Sequence, residues 1–174
     1  MNTNVKGLLA QSVTRMLPDS IRDTVYLRAF GLFKVPVLFY IRPKVEHVDD
    51  EKCVVRVPLN RRTKNHVNSM YFGVLACGAD ISAGFIAIKL AEEMAPGGFS
   101  IVFKDFKAQF LKRVEGDALF TCNQGALIHQ KMRESLNSGE RQNFPVTVTA
   151  TVPSRFQNDP VAQFELTLSV KYIK

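Results

Sequence analysis

Cysteine is scarce in this sequence. Cys53, Cys77 and Cys122 are its only thiols, too few and too scattered for a disulfide framework or a zinc site. Cys77 and Cys122 fall in apolar stretches, where a cysteine behaves as a small buried hydrophobe. No metal centre is expected. Also missing is any Gly/Ser- or Pro-rich linker or internal repeat, so the 174 residues read as a single domain. The amino-terminal segment lacks a continuous apolar core, because Gln11, Thr14 and Arg15 interrupt it; no secretory signature is read there, and a cytoplasmic protein is expected. Basic residues outnumber acidic ones by 23 to 16, a net charge of +7, yet they never form a run of five. The excess favours an anionic partner such as a phosphorylated cofactor. The missing run argues against nucleic acid.

What remains is an ordinary globular composition, 46% hydrophobic and 22% charged. Val5 to Leu17 reads as a short amphipathic helix stopped by Pro18. Asp19 and Ser20 are candidate caps for a second helix reaching about Phe30, closed by Gly31, Lys34 and Pro36. Two strands are expected next, Val37 to His47 and Cys53 to Leu59, around the turn Asp49-Asp50-Glu51. After the polar loop Asn60 to Asn68, with Asn68 or Ser69 as cap, Met70 to Ile88 is interrupted only by Asp80 and Ser82. Such a stretch is nearly long enough to span a bilayer, but a carboxylate near its middle would be costly there. It reads instead as a helix surrounded by protein, ended by Pro96-Gly97-Gly98. Ile101 to Val114 and Ala118 to Asn123 read as strands joined by the turn Glu115-Gly116-Asp117. A helix from Ala126 to Ser138 stops at Gly139. Alternating strands follow around Val146 to Val152 and Phe164 to Tyr172.

An antiparallel sheet wrapped around one long apolar helix is the hotdog architecture, an α+β fold. On this reading residues 1–35 form an N-terminal helical extension and 36–174 the hotdog domain. The stretch Asn65-His66-Val67-Asn68-Ser69-Met70-Tyr71-Phe72-Gly73, followed after six residues by Asp80, resembles the signature of phenylacetic-acid-type hotdog thioesterases. Asn65, Gly73 and Asp80 match that signature in type and spacing. Phe106 to Cys122 resembles the family's strand pair around a Gly-Asp turn. The N-terminal extension and the loop Pro58 to Asn65 are closer to a less characterised branch of thioesterases. Two features depart from the pattern: Tyr71-Phe72 stands where the family has His-Gly, and Asn68 stands at its first glycine.

The resemblance implies an acyl-coenzyme A thioesterase. Coenzyme A would enter as part of the substrate, and no separate cofactor is needed. Thioester hydrolysis requires an attacking group and donors for the developing oxyanion. Asp80 is the candidate nucleophile or general base. Phe72 and Gly73, at a helix N-terminus, are the candidate donors. Tyr71 could replace the family histidine as a hydrogen-bond donor, and Asn65 could orient the helix start or a water. His66, a lone imidazole, is a weaker candidate at the substrate. Arg61, Arg62 and Lys64, and also Lys112 and Arg113, are candidate partners for the coenzyme A phosphates.

Seven residues of helix separate Gly73 from Asp80 by about 10 Å, too far for both to act on one carbonyl. Antiparallel pairing of two such helices would bring Asp80 of one subunit to the other's helix N-terminus. A homodimer with two composite sites is expected, with pairing into a tetramer left open and no membrane span. The main alternative is a non-catalytic acyl-CoA or lipid-binding module on the same fold. A dehydratase would need a histidine paired with the acid, and only His66 lies near the motif.

Overall fold

The computed structural model describes residues 18–173; the helix expected over Val5 to Leu17 lies outside them. Helix α1 (Asp19–Lys34) and helix α2 (Pro36–Ile41) precede strands β1 (Lys44–Val48) and β2 (Cys53–Val57). The long helix α3 (Phe72–Met94) follows, then β3 (Phe99–Phe110), β4 (Ala118–Cys122), α4 (Gly125–Ser138), β5 (Gln142–Thr151), the single turn α5 (Pro153–Phe156) and β6 (Pro160–Tyr172). The six strands form one antiparallel sheet in the order β1-β2-β4-β5-β6-β3. The sheet packs around α3, as the hotdog fold requires.

Alternation explains the strands. In β6, Phe164, Leu166 and Leu168 are buried while Gln163 and Glu165 face outward, and Val146, Val148 and Ala150 do the same in β5. Helix α3 is apolar on nearly every side. It is long and apolar enough to cross a bilayer by length and composition, but β2, β3, β4, β5 and α4 pack against it. Small residues let the sheet come close: a Cβ at Gly78 would overlap the Phe120 ring of β4. Gly139, at φ 70°, supplies the left-handed stop of α4 expected there.

The structure corrects the sequence reading in several places. Helix α1 continues past Phe30 to Lys34. Neither Asp19 nor Ser20 caps it: the N-cap is Pro18, and the Asp19 carboxylate accepts from Arg22 Nη2 at 2.7 Å instead. The strand expected to start at Val37 starts at Lys44, because Pro36 sits in the first turn of α2, where its missing N–H costs nothing. Leu38 and Ile41, three apart on that helix, are buried. A Cβ at Gly31 would lie 2.7 Å from Phe39 N, so glycine permits the close turn between α1 and α2. Helix α3 starts at an N-cap Tyr71 without a side-chain cap. Asn68, at φ 63°, accepts from Lys64 Nζ through its Oδ1, and Ser69 is held by Asn65. Finally, β3 and β4 do not pair across the Gly116 turn; β3 pairs with β6, and β4 lies between β2 and β5.

Candidate active site

The start of α3 is fixed by the loop before it. Met70 N–H donates to Val114 O at 2.8 Å and Tyr71 N–H to Thr63 O at 2.9 Å. Asn65 Oδ1 accepts from the Val67 and Ser69 backbone amides at 3.0 and 3.1 Å, while its Nδ2 donates to Ser69 Oγ at 3.1 Å. The Asn65 amide therefore holds the loop that delivers the helix. The Tyr71 ring lies over Gly73, where a Cβ would approach it to 2.7 Å. Among the described residues, the Phe72 and Gly73 amides have no acceptor, as expected of a first helical turn.

A cavity of about 630 Å³ opens at this helix start. It brings together Asn65, His66, Tyr71, Phe72, Lys112 and Arg113, six of the residues singled out in the sequence. Its cations are partly engaged. Lys112 Nζ meets Asp159 Oδ2 at 3.1 Å and stands 4.9 Å from the Phe156 ring centre. Arg113 Nη2 donates to Val67 O at 2.6 Å and meets Glu115 Oε1 at 3.2 Å. The other basic group does not line this cavity. Arg62 lies over the Tyr40 ring at 5.8 Å, Lys64 bonds Asn68, and Arg61 is exposed.

Asp80 lies elsewhere, in a second cavity of about 490 Å³ between α3, β3 and the α1–α2 hairpin. Leu27 and Phe30 of α1, Leu38 of α2, and Ile101 and Phe103 of β3 make its walls apolar. Burial pushes the Asp80 carboxyl up to about 6, with no neighbouring charge or hydrogen bond contributing. Neither of these two cavities is lined by both Asp80 and Phe72. The residues that sequence reasoning missed are the cavity walls. Gly84, one turn past Asp80, carried a spacing that could have flagged it, whereas Leu27 and Phe30, three apart on α1, show only the spacing of any buried helix face.

On β3, the last strand of the sheet, Val102, Phe106 and Phe110 are 50%, 41% and 53% exposed, and no described strand pairs with its outer edge. Among the described residues no cluster of His, Cys, Asp or Glu could hold a metal ion.

The sheet order and enclosed helix define a hotdog-fold protein. The chain belongs to the family described as Domain of unknown function (DUF4442), whose model matches residues 24–170. A protein of unknown function from Chlorobaculum tepidum superposes with a TM-score of 0.74 at 12% identity, over 88% of this chain and 96% of that one. One from Pseudomonas aeruginosa, described as a probable thioesterase, gives 0.69 at 17% identity over 90% and 97%. A Haemophilus influenzae thioesterase gives 0.58 at 16% identity over 84% and 89%. A comparison with curated proteins found no match.

Proposed function

We propose that this protein hydrolyses the thioester of a hydrophobic acyl-coenzyme A, working as a homodimer with two composite sites. The observation that carries the reading is the separation within one chain: a half-buried carboxylate raised to about 6 lies in one cavity, and Phe72, the first residue of the helix, with an unbonded amide, borders another. Each lacks what the other has. A second copy with its α3 antiparallel would juxtapose them, and the exposed apolar side chains along β3 support pairing there.

In that arrangement Asp80 removes a proton from water, whose oxygen attacks the thioester carbonyl carbon. The oxyanion forms against the partner subunit's helix N-terminus, where the amides and the helix dipole stabilise it. Collapse breaks the C–S bond, and the departing thiolate takes the proton from Asp80. A direct attack by Asp80 on the carbonyl, through an acyl-enzyme anhydride, uses the same geometry. Lys112 and Arg113, beside the helix start, suit the coenzyme A phosphates. The thioesterase description of two structural neighbours agrees with this reading.

A second reading is favoured by Phe72, 60% exposed at the position where the resembled family has glycine. On that reading the same two cavities bind acyl-CoA without turnover. Thiol release from acyl-CoA distinguishes them. The hydrolase reading expects release by the wild type and none by Asp80→Asn; tight binding without release selects the binder.

A further inference from the structure

We infer that the cavity at Asp80 is a linear acyl pocket about twelve carbons long, roofed by the α1–α2 hairpin and opened by Gly84. The identity of the ligand rests on the acyl-CoA reading above; the dimensions rest on the cavity itself.

Asp80, Gly84, Ile88 and Ala91 line the cavity from α3 and recur every three or four residues, so they mark one face of that helix. Asp80 and Ala91 are eleven residues apart, about 16 Å at the helical rise. An extended alkyl chain with bonds near 1.52 Å advances about 1.25 Å per carbon, so roughly a dozen carbons fill that length. The volume of about 490 Å³ suits a ligand of this size. Glu92 and Gly97 at the far end are exposed, so a longer chain would emerge into water.

Gly84 controls the first step beyond the carboxylate. A Cβ there would meet the Phe103 ring at 3.6 Å and Asp80 Oδ1 at 3.9 Å, ordinary contacts on both sides. A methyl group fits, whereas a larger side chain closes the gap between α3 and β3. The roof is tied down firmly. Lys89 Nζ of α3 meets Asp23 Oδ1 of α1 at 3.1 Å, and Thr24 Oγ1 accepts from Val45 N–H at 2.9 Å. Leu27 and Leu38 are 2% and 4% exposed. The helices ahead of the sheet are thereby a wall of the binding site.

The test is calorimetric titration of the full chain with S-alkyl-coenzyme A thioethers, from butyl to octadecyl. Affinity should rise about fourfold per methylene and level off near twelve carbons. Gly84→Leu, about 6 Å from Asp80 along the helix, should move the break to about five carbons and Ile88→Phe, at about 12 Å, to about nine. Gly84→Ala should leave it in place. Melting temperatures separate blockage from misfolding, and the two blocking variants serve as independent readings. Affinity indifferent to chain length, or an unmoved break in both folded variants, overturns the inference. Thioethers are not hydrolysed, so the break is read independently of turnover. A shifting break without any thiol release from acyl-CoA would refute the hydrolase reading and leave the pocket standing.

Discussion

The two cavities along α3 differ in kind. At the helix start, the side chains are largely satisfied: Asn65 holds Ser69, Arg113 holds Val67, and Lys112 holds Asp159. What stays unbonded there is backbone, the amides of Phe72 and Gly73. Around Asp80 the walls are apolar, and the only acid near the middle of the helix has no neighbour to neutralise it. On the proposed reading, neither region is a site alone. Donors without an acceptor and a carboxylate without a donor are complementary, and two copies of one chain can supply both.

The sharpest break in this comparison is chemical. Asp80→Asn keeps the shape and removes the base, and thiol release should fall by at least about a thousandfold, within the range for losing a general base or nucleophile. Retained turnover would remove Asp80 from the mechanism. Disrupting the apolar surface of β3 should act nearly as strongly: Phe106→Asp should give a folded monomer in light scattering, with turnover down by about a hundredfold or more, since no composite site remains.

Acidity sharpens the contrast further. Because the proposed mechanism needs Asp80 ionised, the rate should drop about tenfold per pH unit well below about 6 and be level above 7. The partner's helix dipole can only move that midpoint downward. A rate still climbing above pH 8 would point to another base. Stability carries the opposite sign. The carboxyl is raised from its ordinary 3.8 to about 6 in the fold. Its protonation stabilises the native state fully below about pH 4, and this contribution is lost as pH rises through about 6. The advantage of Asp80→Asn over wild type should therefore be about 1–3 kcal/mol larger at pH 8 than at pH 4 by denaturant titration. The smallest effect belongs to the helix-start cations. Lys112→Ala should raise KM severalfold, more at low salt, and leave kcat nearly unchanged.

The strands that carry the sheet were legible because each residue of β5 and β6 has one side to bury, and alternation records it directly. Helix α2 was not. Val35 to Ile41 is apolar enough for either state, and only the burial of Leu38 and Ile41 three residues apart, with Pro36 in the first turn, selects helix. The cap residue was misplaced for a related reason. Several polar residues precede α3, but the chain is fixed by Met70 bonding Val114 and Tyr71 bonding Thr63, long-range contacts that no local pattern encodes. Asp80 stood out as a charge within an apolar run. Leu27, Phe30 and Leu38 did not, because the wall of a cavity and the inside of a core are built from the same side chains.

The composite site itself is tested most directly by subunit mixing. Phe72 is the first residue of α3, and Tyr71 before it sits at φ −65°, ψ 137°, which a following proline favours. Phe72→Pro therefore deletes one proposed oxyanion donor while keeping the helix, and Phe72→Ala controls for the lost ring. Homodimers of Asp80→Asn and of Phe72→Pro should each be nearly inactive. Refolded together in equal amounts, half of the dimers would hold one intact site of two, and about a quarter of wild-type activity should return. No recovery from a mixture shown to contain heterodimers would contradict a site shared between subunits.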